Sequence, residues 1–121
     1  MGFLKGLDKD NSISLYKFTG QGLELHDDMS LLENKDFVKV SFLDFETTGL
    51  DFERDEVIEI GLRTIAVNKN DYREFFAVKE YSSYNDTNLE VDAEITMLTG
   101  ITKDMISGKA IDWKEVSEIL K

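Results

Sequence analysis

The sequence contains no cysteine and only one histidine among its 121 residues. Without cysteine there is no disulfide framework and no thiolate metal site. The longest apolar runs are far too short to span a membrane, and the first eight residues, MGFLKGLD, have no signal-peptide core. These absences predict a cytoplasmic protein with no membrane partner.

Positive charge is also scarce, because 14 Lys and Arg residues stand against 25 Asp and Glu residues and leave a formal net charge of −11. A protein that holds duplex phosphates electrostatically needs the opposite sign. A broad duplex-binding face is therefore excluded, whereas a pocket that takes a few nucleotides beside bound cations is not. The 41% of hydrophobic residues is enough to build the core of one compact domain.

The most informative stretch that is present covers residues 42–50, FLDFETTGL. An apolar strand ends there in two carboxylates, Asp44 and Glu46. Successive side chains on a strand point to opposite faces, so these two project from the same face. Like charges held this close repel, and hard cations such as Mg²⁺ or Mn²⁺ prefer oxygen ligands. The stretch predicts half of a metal site for phosphoryl chemistry; the alternative is an ordinary solvated strand-to-turn exit.

Three strands followed by three short helices are predicted after residue 37. The predicted strands are 38–45, 56–67 and 72–79, and the predicted helices are 92–99, 102–106 and one that begins after Asp112. The Asn- and Asp-rich residues 68–71 favour a tight turn, Gly100 marks a helix end, and Trp113, Val116 and Leu120 have helical spacing. The order predicts an α/β fold, with an antiparallel three-stranded meander covered on one face by the helices.

Residues 1–37 carry weaker signals and are interpreted as an N-terminal extension. Apolar alternation at Ile13/Leu15 and at Leu23/Leu25, around the turn-forming residues 19–22, predicts a hairpin. Residues 30–33, SLLE, have the spacing of a capping box and predict one helical turn.

Three segments of the chain resemble the DEDD family of 3′–5′ exonucleases, to which the proofreading epsilon subunit of bacterial DNA polymerase III and ribonuclease T belong. Residues 44–50, DFETTGL, resemble its first motif and residues 57–61, VIEIG, its second strand. Residues 98–106, LTGITKDMI, resemble its later histidine-glycine-isoleucine-threonine segment. The resemblance runs from about Val38 to Lys121. It implies the ribonuclease-H-like fold, with residues 38–121 as the first, apparently truncated half of an exonuclease domain.

The resemblance also implies a site that acts on the 3′ end of single-stranded DNA or RNA. The complete site would hold two Mg²⁺ or Mn²⁺ ions, one lowering the pKa of the attacking water and one stabilising the departing oxygen. Asp44 would bridge both ions and Glu46 would ligate one. Thr47 would meet the 3′-hydroxyl through its backbone N–H, and Leu50 would wedge against the base. The other implied substrate-binding residues are Thr48, Gly49, Thr99, Gly100 and Ile101.

The chain departs from the family pattern in several places. Thr99 stands where relatives carry a histidine near the substrate. The two later aspartates and the histidine or tyrosine base of the family do not appear. Asp104 and Asp112 are interpreted as a first-turn acid and a helix cap, and His26, which precedes the first motif, as non-catalytic. Glu59 is interpreted as structural, making a hydrogen bond or facing solvent.

These departures leave three explanations. The chain is the N-terminal part of a longer exonuclease and inactive alone, which is the prediction we prefer; or another chain supplies the missing ligands; or the chain is a non-catalytic protein-interaction module. A phosphatase with Asp44 as nucleophile ranks last, since that mechanism would need a second aspartate at the position of Glu46.

Uncovered apolar sheet surface would favour a homo-oligomer or a partner-stabilised state. The sequence does not choose between DNA and RNA.

Overall fold

The computed structural model describes residues 3–7, 13–17 and 24–121. In chain order the described elements are β1 (Phe3–Leu7), β2 (Ile13–Lys17), a 3₁₀ helix (Met29–Glu33), β3 (Phe37–Thr47), β4 (Val57–Asn68), β5 (Phe75–Tyr84), α1 (Ala93–Thr99), α2 (Lys103–Ile106) and α3 (Trp113–Leu120). Within these ranges, every helix is too short or too polar to cross a membrane.

The first two strands form an antiparallel pair of their own, with Leu7 opposite Ile13. The predicted hairpin joined the Ile13 segment to the segment around Leu25; the described partner of β2 is β1, over five residues in continuous register, and Leu23 lies outside the described residues. Leu25 makes an isolated parallel bridge to Ala77. Most of the predicted turn falls in residues 18–23, outside the described part of the chain.

The helical turn predicted at residues 30–33 is present as the 3₁₀ helix, but its cap lies two residues earlier. Asp28 accepts a hydrogen bond on Oδ1 from the backbone N–H of Ser30 at 2.8 Å. Hydrogen bonding from Ser30 also holds the pKa of the Asp28 carboxyl below its usual value. Aspartate caps helices as well as serine does, so the predicted capping box was placed on the wrong residue.

The sheet of β3, β4 and β5 is the predicted antiparallel meander, with β4 in the centre. β5 starts later than predicted because residues 71–74 form a turn in which the Glu74 N–H donates to the Asp71 carbonyl at 2.9 Å. Between β3 and β4, Asp44 lies opposite Gly61 and Glu46 lies opposite Glu59. A register shift follows at once, between Glu46 and Thr47.

The helices cover one face of this sheet. Along β4, alternate residues from Ile58 to Ala66 are buried, as a strand with one covered face requires. Two buried clusters result: Ile60, Leu62, Ile111, Val116 and Ile119; and Ile58, Ile101 and Ile106. Val116 and Ile119 are the core residues of α3, whereas Trp113 and Leu120 are both exposed. The predicted core stripe of α3 was therefore correct only at Val116.

The opposite face of the sheet is uncovered in the described chain, and we call it the open face. From β3 it carries Val38, Val40, Phe42, Asp44 and Glu46. The three apolar side chains are exposed by 46%, 36% and 59% in that order. β3 is also an edge strand, since β4 is its only sheet neighbour among the described strands. The acidic end of β3 thus stands at the margin of an exposed apolar surface.

Candidate active site

Two of the predicted site residues lie where β3 ends. Asp44 is exposed on the open face, and Glu46 is half-buried two residues later on the same side. The register shift after Glu46 turns the chain away from the strand direction, as a bulge does. The two carboxylates are therefore presented together at the start of the turn formed by residues 47–50.

Glu59 joins these carboxylates from the neighbouring strand. It lies directly opposite Glu46, and directly opposed residues of an antiparallel pair project from one face. Partial burial, followed by the charges of Glu46 and Asp44, raises the pKa of Glu59 above its ordinary value. Sequence reasoning treated Glu59 as structural, making a hydrogen bond or facing solvent; within residues 24–121 no side-chain hydrogen bond to it occurs, and it is partly exposed. The register of an antiparallel pairing between residues 37–47 and 57–68 is the signal that would have placed Glu59 beside Glu46.

The chemistry of these donors suits a hard divalent cation, but their number falls short of a complete site. Carboxylate oxygens are the ligands that Mg²⁺ and Mn²⁺ take in proteins. In the part of the chain that the structure describes, no three acidic or histidine side chains converge closely enough to hold a metal ion. The described residues therefore fit part of a metal site and leave further coordination positions to be filled by other groups.

The turn after β3 is closed by its own hydrogen bonds. The Thr47 hydroxyl donates to the Gly49 carbonyl at 2.5 Å, and the Thr48 N–H donates to the Glu56 carbonyl at 2.9 Å. Thr48 is buried, whereas the Leu50 side chain is fully exposed. The turn thus holds its backbone in one shape and projects one large apolar side chain into solvent.

A cleft of about 460 Å³ separates this turn from helix α1. Its volume lies in the range of about 300–1,000 Å³ that is usual for small-molecule sites. Glu46 and Glu94 each contribute a carboxylate to its lining, and Leu50 and Leu98 are exposed apolar side chains there. The other lining residues are Thr47, Thr48, Gly49, Asp92, Ile95 and Thr99. The cleft therefore combines apolar contact surface with the carboxylates of Glu46, Asp92 and Glu94.

Of the remaining sequence-predicted residues, Thr99 lines the cleft, whereas Gly100, Ile101 and Asp44 do not. Thr99 lines the cleft, but its hydroxyl donates to the Ile95 carbonyl at 2.8 Å and accepts from the Ile101 N–H at 3.0 Å. Gly100 ends α1 in a left-handed conformation with φ of 77°. The Ile101 side chain is buried in the core rather than exposed in the cleft. Asp44 lines a shallow neighbouring groove beside Gly61.

Two acids have the surroundings that the sequence suggested. Asp112 caps α3 by accepting from the Lys114 and Glu115 backbone N–H groups at 3.1 and 3.0 Å, and Asp104 lies in the first turn of α2. His26 packs edge-on against Phe76, with ring centroids 5.4 Å apart. Sequence reasoning missed Glu94 and Asp92 as cleft residues, because only the docking of α1 beside the turn brings them there.

Comparisons with known proteins relate this chain to one family. Residues 41–121, about two thirds of the chain, match the RNase_T family model, which is described as Exonuclease. A DNA polymerase III of PolC type from Thermotoga petrophila is 38% identical over 91 residues, which are 75% of this chain and 6% of that protein. Its counterpart from Thermotoga maritima is 36% identical over 78 residues, 64% of this chain and 5% of that protein. The chain thus spans a small fraction of the length of these relatives.

Proposed function

The chain belongs to the exonuclease family, and from that premise we propose that it forms part of a 3′–5′ exonuclease that hydrolyses single-stranded nucleic acid by a two-metal mechanism. The matched region contains Asp44, Glu46 and the turn at residues 47–50, which supports this assignment. The relatives are DNA polymerases by name, which favours DNA as the substrate. A cytoplasmic location and a boundary near residue 37, with residues 38–121 as the first half of the domain, belong to the same proposal.

In this proposal each of the predicted site residues has a task. Asp44 and Glu46 supply oxygen ligands; bound Mg²⁺ or Mn²⁺ would activate the attacking water and stabilise the leaving oxygen. The Thr47 backbone holds the 3′-terminal sugar, and Leu50 supplies apolar contact for the terminal base. Thr48, Gly49, Thr99, Gly100 and Ile101 shape the backbone around them. The single observation that carries the proposal is the juxtaposition of Glu46 and the exposed Leu50 in one cleft.

We further propose that residues 1–121 alone have little or no activity. The described residues bring together too few ligands for a metal ion, which supports this view. In this proposal the ligands that the described residues lack come from additional polypeptide, either continuing the same chain or from another one. The alternative function, a non-catalytic interaction module, draws support from the exposed apolar side chains of Val38, Val40 and Phe42 on the open face.

Manganese titration of the isotope-labelled chain tests the proposal. We expect Mn²⁺ to broaden the amide signals of residues 44–49 first, because the paramagnetic ion concentrates at the paired carboxylates. Asp44→Asn should abolish this selectivity, whereas Glu118→Gln, which removes an equal charge from α3, should not. Broadening spread evenly over the acidic surface, or selectivity that survives Asp44→Asn, would refute the metal site and favour the interaction module.

A nuclease assay complements the titration. A 5′-labelled single-stranded DNA oligonucleotide incubated with the chain and Mn²⁺ should remain almost intact. If shortening from the 3′ end does occur, Asp44→Asn must abolish it. Activity that persists in that variant would contradict the assigned role of Asp44.

A further inference from the structure

The loop between β3 and β4 folds around one carboxylate, that of Asp55. Its Oδ1 accepts from the Thr48 hydroxyl at 2.9 Å, and its Oδ2 accepts from the Asp51 N–H at 2.8 Å. The Asp55 N–H in turn donates to the Asp51 carbonyl at 2.7 Å. One short side chain thus fixes both ends of the segment 48–51, which contains the tip of the cleft wall.

Gly49 packs directly on this carboxylate. A Cβ atom at position 49 would stand 2.7 Å from Asp55 Cγ, closer than non-bonded carbon atoms approach each other. The described glycines with positive φ are Gly100 and Gly108, so a left-handed backbone does not explain the glycine at position 49. The close approach of the carboxylate does explain it, because only glycine leaves that space empty.

The next residue, Glu56, extends the same connection to the opposite wall of the cleft. Its backbone N–H donates to the Thr48 hydroxyl at 3.0 Å, and its carbonyl accepts from the Thr48 N–H. Its carboxylate accepts a hydrogen bond from the hydroxyl of the buried Thr87. The Thr87 hydroxyl also accepts from the Leu89 N–H at 3.0 Å, in the segment that leads into α1.

We propose that Asp55 and Glu56 are positioning residues that set the two walls of the cleft. Asp55 holds the turn at residues 48–51, and Glu56 ties that turn through Thr87 to the segment before α1. Neither carboxylate lines the cleft, so both act through the residues they hold. The inference rests on the proposed function only in naming the ligand of the cleft as a nucleotide.

The first test needs no ligand. Gly49→Ala in the otherwise unchanged chain should lower the folding equilibrium constant, because the new methyl group displaces the Asp55 carboxylate from its two donors. In an Asp55→Ala background the methyl group has room, so the same substitution should cost far less. We expect the two effects to differ by more than about tenfold in the equilibrium constant, the coupling typical of residues in contact. Urea unfolding of the four proteins measures it, and equal effects in both backgrounds would overturn the proposal.

The second test measures positioning, with deoxythymidine 5′-monophosphate and Mn²⁺ as the probe. Asp55→Ala and Glu56→Ala should each weaken nucleotide binding by about tenfold or more, since small displacements of contact groups are costly. Glu53→Ala removes the same charge from the same loop without removing a described side-chain hydrogen bond, and should leave binding unchanged. Thr87→Val should reproduce the Glu56→Ala effect, because it breaks the same connection from the other side.

The outcomes separate this inference from the proposed function. If the unchanged chain does not bind the nucleotide, the proposed ligand is wrong, and the positions of the amide signals of residues 48–51 and 93–95 still decide the inference. Asp55→Ala should then shift the first group and Glu56→Ala should shift both, with Glu53→Ala shifting neither. If nucleotide binding or these signals respond equally to all three variants, the two carboxylates contribute only general charge and the proposal fails.

Discussion

At the scale of single residues, the site concentrates negative charge that the described residues do not neutralise. Glu46 and Glu59 lie opposite each other with Asp44 beside them, and directly opposed like charges destabilise a strand pair. The raised pKa of Glu59 reports this arrangement, because burial and its two neighbours all disfavour the charged form. A bound cation or a bound proton at this site would therefore stabilise the folded protein.

Replacing Glu59 by glutamine should stabilise the protein in a pH-dependent way. An acid whose pKa is raised by folding costs the folded state free energy above that raised pKa, and the cost disappears as the pH falls below the unfolded-state value of 4.5. Glu59→Gln should therefore increase the free energy of unfolding at about pH 7.5 and leave it nearly unchanged at about pH 4. Urea unfolding at both values measures the difference.

The matched control is Glu80→Gln, on the same face but paired with Arg63 at 2.9 Å. It removes an attractive partner rather than a repelled charge, so it should not stabilise the protein at either pH. A Glu59→Gln variant whose gain is as large at about pH 4 as at about pH 7.5 would show that packing, and not charge, explains the effect.

At the scale of elements, the features encoded by adjacent residues could be predicted, and those that depend on tertiary packing could not. The three helices start within one residue of the predicted positions, directly after their caps Asp92, Thr102 and Asp112, because a cap needs only its own side chain and the next N–H groups. The placing of Glu59 opposite Glu46 depends on strand register. The burial of Ile101 depends on how α1 and α2 meet the sheet, which no local pattern specifies.

The cap of α3 is the clearest case in which one local contact holds an element in place. Asp112 accepts from two backbone N–H groups at the start of the helix, and α3 buries Val116 and Ile119 against the sheet. Asp112→Ala should therefore lower the free energy of unfolding by about 0.5–2 kcal/mol, the usual value of an N-cap. Asp104→Ala, which removes a first-turn acid without a described hydrogen bond, should change it by less than about 0.5 kcal/mol. Thermal or urea unfolding distinguishes them, and equal losses would show that charge rather than capping matters.

At the scale of the whole molecule, the open face exposes apolar side chains, and the edge of β3 has no partner strand among the described residues. β3 is apolar on both sides, which is typical of a central strand, yet in the described chain it lies at the edge of the sheet. An edge strand with exposed apolar side chains is a template for further pairing. The same face carries Asp44, so whatever covers it would lie beside the carboxylates.

This surface leads to a prediction about association. The chain should self-associate as its concentration rises, and more strongly in high salt, because salt screens the repulsion between molecules of net charge −11. Phe42→Lys places a charge midway along β3 on the open face and should return the protein to a monomer. Phe52→Lys is the control, since Phe52 is even more exposed, at 93% against 59% for Phe42, but lies in the loop after β3. Sedimentation velocity at several concentrations measures the outcome. Association that both substitutions abolish, or that neither affects, would show that the open face is not the surface involved.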